Sequence, residues 1–128
     1  MQLIHDRAEG YFFVRAVKPD AIVIIDRELQ SSFLLAPDQV VEGWPVSTID
    51  ELGEDAVLAI LETGPEVVIL GSGNRQRFPD RKALLPLMRE GIGVEVMDNA
   101  AAARTYNLLA AEGRRVLAAF ILDSAQAD

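Results

Sequence analysis

The residues best suited to chemistry lie in Gly71-Ser72-Gly73-Asn74-Arg75-Gln76-Arg77, directly after the apolar run Val67-Val68-Ile69-Leu70. Glycines let a backbone turn sharply or approach a ligand closely. Asn74 offers a polar anchor, and Arg75 and Arg77 offer charge for a carboxylate or phosphate. Such ligands sit where strands end in open α/β sheets, and the predicted helix starting near Pro79 would turn its free N–H groups toward the same space. A second set, Arg104, Thr105 and Asn107, interrupts a stretch otherwise rich in alanine and leucine. It reads as glue between helix and strand, with ligand contact as the alternative, closing the first site from the side.

Complete catalytic motifs are missing. Gly71-Ser72-Gly73 begins like a dinucleotide fingerprint, but Gln76 stands where its third glycine belongs. No phosphate-loop lysine follows, and the glycine spacing around Ser72 is wrong for a nucleophile elbow. The chain has no cysteine, and His5 is its one histidine. Thiolate nucleophiles, disulfides, cysteine-based zinc or iron–sulfur sites and multi-histidine metal centres are thereby excluded. No cofactor is expected. A carboxylate-only Mg²⁺ or Ca²⁺ site has no motif behind it.

Charge is uneven. Residues 1–64 carry 4 Lys/Arg against 12 Asp/Glu, and residues 65–128 carry 8 of each, so the whole net charge of −8 belongs to the first half. An acidic chain without a basic, aromatic stripe is not expected to bind nucleic acid. Arg75, Arg77, Arg81 and Lys82 nevertheless cluster within eight positions. They read as a solvated loop and helix start, or as a local anion site. No apolar run approaches the ~18 residues of a membrane span, and the N-terminus lacks a signal-peptide core, so the expected location is cytoplasmic.

The elements that must position these residues are legible in outline. Tyr11–Val17, Ala21–Ile25 and Leu29–Leu35 read as three closely spaced strands, an N-terminal β-meander. Residues 39–45 read as an irregular connection in which Trp44 anchors onto the sheet, or serves as a partner-binding hot spot. Ser47 opens a helical pattern through Ile49, Leu52, Ala56, Val57, Ile60 and Leu61, which Gly64-Pro65 ends. Its acidic residues read as a solvated face. Val67–Leu70 is a strand buried on both faces. A helix over 79–90 contains Pro86, which predicts a kink or a split. A strand over 93–97, a helix capped by Asp98 and ended by Gly113, and a strand over 116–122 complete the chain. Strand–helix alternation in this half predicts helical crossovers on a parallel sheet. Tyr106 and Leu109 are expected to face that sheet. One domain spans 1–128, with an ordered core over about 10–122 and a flexible tail over 123–128.

The strand-Gly-Ser-Gly turn, Met97 before a capped helix, Ala102-Ala103-Arg104-Thr105-Tyr106-Asn107-Leu108-Leu109 and Glu112-Gly113-Arg114-Arg115-Val116 occur in this order. Together they resemble the Mth938-type family of small domains of unknown function. That family includes a mitochondrial respiratory complex I assembly factor and an adipogenesis-associated protein. The resemblance covers about Gly10 to Leu122 and implies a three-layer α/β domain, a mixed central sheet with helices and an accessory β layer. It carries over no catalytic residue. The leading expectation is a non-enzymatic interaction or assembly domain whose partner is another protein. The alternative is a small-molecule or anion-binding domain, or an enzyme, using the Gly71–Arg77 loop.

Overall fold

The computed structural model describes residues 10–25 and 27–122, and the expected tail over 123–128 lies outside them, as does His5. The strands are β1 (Val14–Lys18), β2 (Ala21–Ile24), β3 (Glu28–Leu29), β4 (Phe33–Ala36), β5 (Gln39–Glu42), β6 (Val67–Gly71), β7 (Gly93–Met97) and β8 (Val116–Phe120). The helices are α1 (Glu54–Glu62), α2 (Arg81–Arg89) and α3 (Asn99–Ala111).

Five strands form a mixed central sheet in the order β5-β4-β8-β6-β7, with β8 parallel to β6, β6 parallel to β7, and β4 antiparallel to both its neighbours. β1-β2-β3 form a separate antiparallel sheet. On one face of the central sheet, α3 and the small sheet bury Ile22, Ile24, Phe33, Ile69, Tyr106 and Phe120 together. On the other, α1, α2 and Trp44 pack over Leu34, Val68, Leu70 and Leu117. This is the expected three-layer arrangement. β6 and β8 are apolar on both faces because both faces are covered. β6 lies between β8 and β7, away from the sheet edge.

Four expectations need correction. The predicted strand over Leu29–Leu35 is two strands in different sheets, β3 and β4. Buried Ser32 marks the crossing: its hydroxyl accepts from the Leu122 N–H at 2.8 Å and donates to the Val46 carbonyl. Residues 39–42 are strand β5, not irregular, because they pair with all of β4. The helical pattern from Ser47 first makes a single 3-10 turn, Ile49–Glu51, and α1 starts only after Gly53. Thr48, not Ser47, is the N-cap of that turn and makes no side-chain cap bond; Glu51 rather than Asp50 accepts from the Ser47 N–H, at 2.7 Å. Finally, α2 is one helix through Pro86, so of the two expected outcomes the split does not occur. The proline deprives only the Lys82 carbonyl of a helical partner.

Trp44 is a buried anchor, its indole donating to the Ala56 carbonyl at 3.0 Å. Tyr106 is wholly buried against the sheet, and Leu109 is half-buried beside it.

Candidate functional site

The end of β6 is where three elements converge. The Gly71 carbonyl accepts from the Ile121 N–H at 3.0 Å, and the Ser72 N–H donates to the Met97 carbonyl at 2.9 Å. Gly73 has a φ of 112°, a conformation that favours glycine. Its carbonyl accepts from the Asn99 N–H at 2.8 Å. Gly71 is required for a different reason: a Cβ there would overlap Asn99 Oδ1 and press on Phe120 and Ala102.

Asn99 is the polar centre of this junction and is only 1% exposed. Its Oδ1 accepts from the Gly73 N–H at 3.2 Å, and its Nδ2 donates to the Ile121 carbonyl at 2.9 Å. Sequence reasoning missed it. Asp98, which does accept from the Ala101 N–H at 2.8 Å, already accounted for the start of α3. The one available signal was a second polar residue inside the first turn of an alanine-rich helix.

The loop that follows is stitched by Ser72, itself 5% exposed. Its hydroxyl donates to the Arg75 carbonyl at 2.6 Å and accepts from the Arg77 N–H at 2.9 Å. Gln76 reaches to the Val96 carbonyl at 3.0 Å, and Arg77 pairs with Asp50 at 3.2 Å in the open. Asn74 and Arg75 remain exposed, and with Ser72 and Arg77 they line an open depression. The expected gift of free N–H groups from the following helix is partly taken. Asp80 caps α2 and accepts from the Lys82 N–H at 2.9 Å, setting a carboxylate against the positive helix end.

The structure thus brings Gly71, Ser72, Gly73, Asn74, Arg75 and Arg77 into one loop, while Arg104, Thr105 and Asn107 diverge around α3. Asn107 binds β1, accepting from the Val14 N–H at 2.8 Å and donating to the Val14 carbonyl at 2.9 Å. It serves Val14 as a strand neighbour would, beside the irregularity in the β1–β2 register between Val14 and Ala16. Arg104 shares the depression between α3 and β1 with Asn107. Thr105 turns the other way, its hydroxyl donating to Met97 Sδ at 3.4 Å. Tyr106 adds a further tie, donating to the Phe12 carbonyl at 2.8 Å.

Among the described residues, no three His, Cys, Asp or Glu side chains are grouped to hold a metal ion. At the opposite end of the central sheet, Glu66 accepts from the Arg115 N–H at 3.0 Å. That bond, with the Arg114 guanidinium nearby, holds the Glu66 carboxyl below its ordinary value.

Comparison with known proteins places this architecture. A family model described as a protein of unknown function (DUF498/DUF598) matches residues 14–121. A Xanthomonas campestris protein solved by NMR is 45% identical with a TM-score of 0.80, covering 87% of this chain and 84% of that one. A Bordetella pertussis protein, described as a Mth938-like domain, is 30% identical with a TM-score of 0.75, covering 87% and 85%. A 13 kDa major membrane protein of Francisella tularensis is 31% identical over 106 residues, 82% of this chain and 85% of that protein. The human NADH dehydrogenase [ubiquinone] 1 alpha subcomplex assembly factor 3 is 28% identical over 123 residues, 94% of this chain and 66% of that protein. Among the described residues, no helix is long and apolar enough to cross a membrane. With the family model spanning β1 to the end of β8 and the layers matching those of a Mth938-like domain, the chain belongs to the DUF498/DUF598, Mth938-type family of proteins of unknown function.

Proposed function

We propose that this chain is a non-enzymatic, cytoplasmic interaction domain that engages another protein in the manner of an assembly factor. The observation that carries the reading is the fate of the polar groups at the end of β6. The Ser72 hydroxyl and the Asn99 amide are both spent on the chain's own backbone, so neither is left to bind or activate a substrate. The name of the human relative supports an assembly role. The test is affinity purification from the native cell, quantified against an unrelated bait of similar charge. A protein enriched in constant proportion to the bait is the expected result. Recovery of the bait alone refutes it.

A second reading draws on the exposed Asn74 and Arg75 beside the open depression. A small carboxylate or phosphate bound there at 100 times its dissociation constant would stabilise the fold by ~2.7 kcal/mol. A thermal-shift panel of small anions, run on wild type and an Arg75→Ala/Arg77→Ala variant, tests it. A shift confined to the wild type supports that reading, and no shift rejects it.

A further inference from the structure

Helix α2 is amphipathic in an unusual sense. It is anchored by fully buried Leu87, yet its outer face combines apolar and basic side chains. Leu85 is 37% exposed, Met88 is 54% exposed, and Phe78 just before the helix is 69% exposed. Around Leu85, Arg81 and Lys82 occupy the preceding turn at i−4 and i−3, and Met88 and Arg89 the following one at i+3 and i+4. Arg81, Lys82 and Arg89 are exposed and form no ion pair among the described residues. Two carboxylates flank the helix in sequence: Asp80 is occupied as its cap, and exposed Glu90 stands at its C-terminal end without an ion pair among the described residues. Three cations without an ion pair thus surround Leu85 and Met88, and with Asp80 and Glu90 counted the segment stays net positive on a chain whose net charge is −8.

We infer that this face of α2 is the docking surface for an acidic segment of another protein, one that carries apolar side chains among its carboxylates. Charge complementarity selects the sign of the partner, and exposed Leu85 and Met88, at i and i+3 of the helix, supply the apolar anchors that such an interface needs at its centre. An anionic membrane fits less well. A chain of this net charge is repelled by a uniformly negative surface. Leu87 also holds α2 against the core, and a nine-residue helix with so few outward apolar groups offers little to bury at the ~5–10 Å depth of interfacial helices. The inference rests on the interaction reading above and gives it a place and a chemistry.

The test is photocrosslinking in the native cell with benzoylphenylalanine at Met88, and at exposed Leu58 and Leu108 as controls. The crosslinked segment is then sequenced by mass spectrometry. The expected product at Met88 is a protein segment of net negative charge with interspersed apolar residues. In an Arg81→Glu/Lys82→Glu background its yield should fall by at least ~tenfold. That variant should still fold, because acidic residues suit the first turn of a helix. A synthetic peptide of the captured segment should bind the purified protein, more weakly as salt is raised. Crosslinks at Met88 to lipid, to a second copy of this chain or to a neutral or basic segment overturn the inference, as does indifference to charge reversal. A protein captured only from Leu58 or Leu108 overturns it while sparing the interaction reading. No protein from any position removes both.

Discussion

The junction at Gly71 can be tested by a double-mutant cycle with Asn99. In Gly71→Ala the new Cβ overlaps Asn99 Oδ1 and lies 3.1 Å from Phe120 Cδ1 and 3.3 Å from Ala102 Cβ, all of them buried groups. Overpacking of this kind costs ~1–3 kcal/mol. Asn99→Ala removes the side-chain partners of the Gly73 N–H and the Ile121 carbonyl. Two buried groups left unsatisfied cost ~2–4 kcal/mol after partial relaxation. The two substitutions interact, because Asn99→Ala deletes the atom that the methyl introduced by Gly71→Ala would strike. The double variant should therefore be more stable than the sum of the singles predicts, by ~1–2 kcal/mol. Part of the Gly71→Ala cost persists, since Phe120 and Ala102 are unchanged. Urea denaturation of the four proteins, followed by the fluorescence of buried Trp44, measures each stability, provided the m-values agree. Additivity to within ~0.5 kcal/mol would refute the view that Gly71 is glycine to make room for Asn99.

Two further outcomes follow from the same geometry. Asn107→Ala should accelerate hydrogen exchange at the Val14 amide, which loses its side-chain acceptor at 2.8 Å, while the β6 amides exchange as before; equal acceleration in β6 would mean that the sheets open together. The Glu66 carboxyl is depressed in the fold, so its contribution is present above the unfolded value of ~4.3 and lost as pH falls through the folded one. Glu66→Gln should accordingly flatten the loss of stability on acidification, and parallel acid-unfolding curves would show that the Arg115 bond does not favour the charged form.

The amino-acid sequence determines the local elements of the second half. The unbroken, short apolar runs Val67–Leu70 and Val116–Leu122, bounded by turn signals, read as strands covered on both faces, and each helix end is written into its own vicinity. Asp98 caps α3 as its residue type dictates, and Gly113 ends it at a φ of 82°. The loop at Gly71–Arg77 is legible for the same reason, since all its members are neighbours in sequence. The family resemblance adds the layer count, which periodicity alone does not supply.

Tertiary structure decides what depends on a partner far along the chain. Polar Gln30-Ser31-Ser32 interrupts the apolar pattern between Leu29 and Phe33 without saying that the two sides join different sheets. The split arises because Leu29 pairs with Ile22 while Phe33 pairs with Phe120, and Ser32 satisfies backbone groups at Leu122 and Val46 between them. Gln39–Glu42 becomes a strand because β4 offers it a complete ladder. Arg104 and Asn107, at i and i+3, share the β1 side of α3, while Thr105 between them is turned toward Met97 because each residue rotates the helix by ~100°. Asn99 shows the limit most plainly. Its amide binds Gly73 and Ile121, 26 and 22 residues away, and the hydrogen-bonding capacity of a side chain does not say which distant backbone will use it.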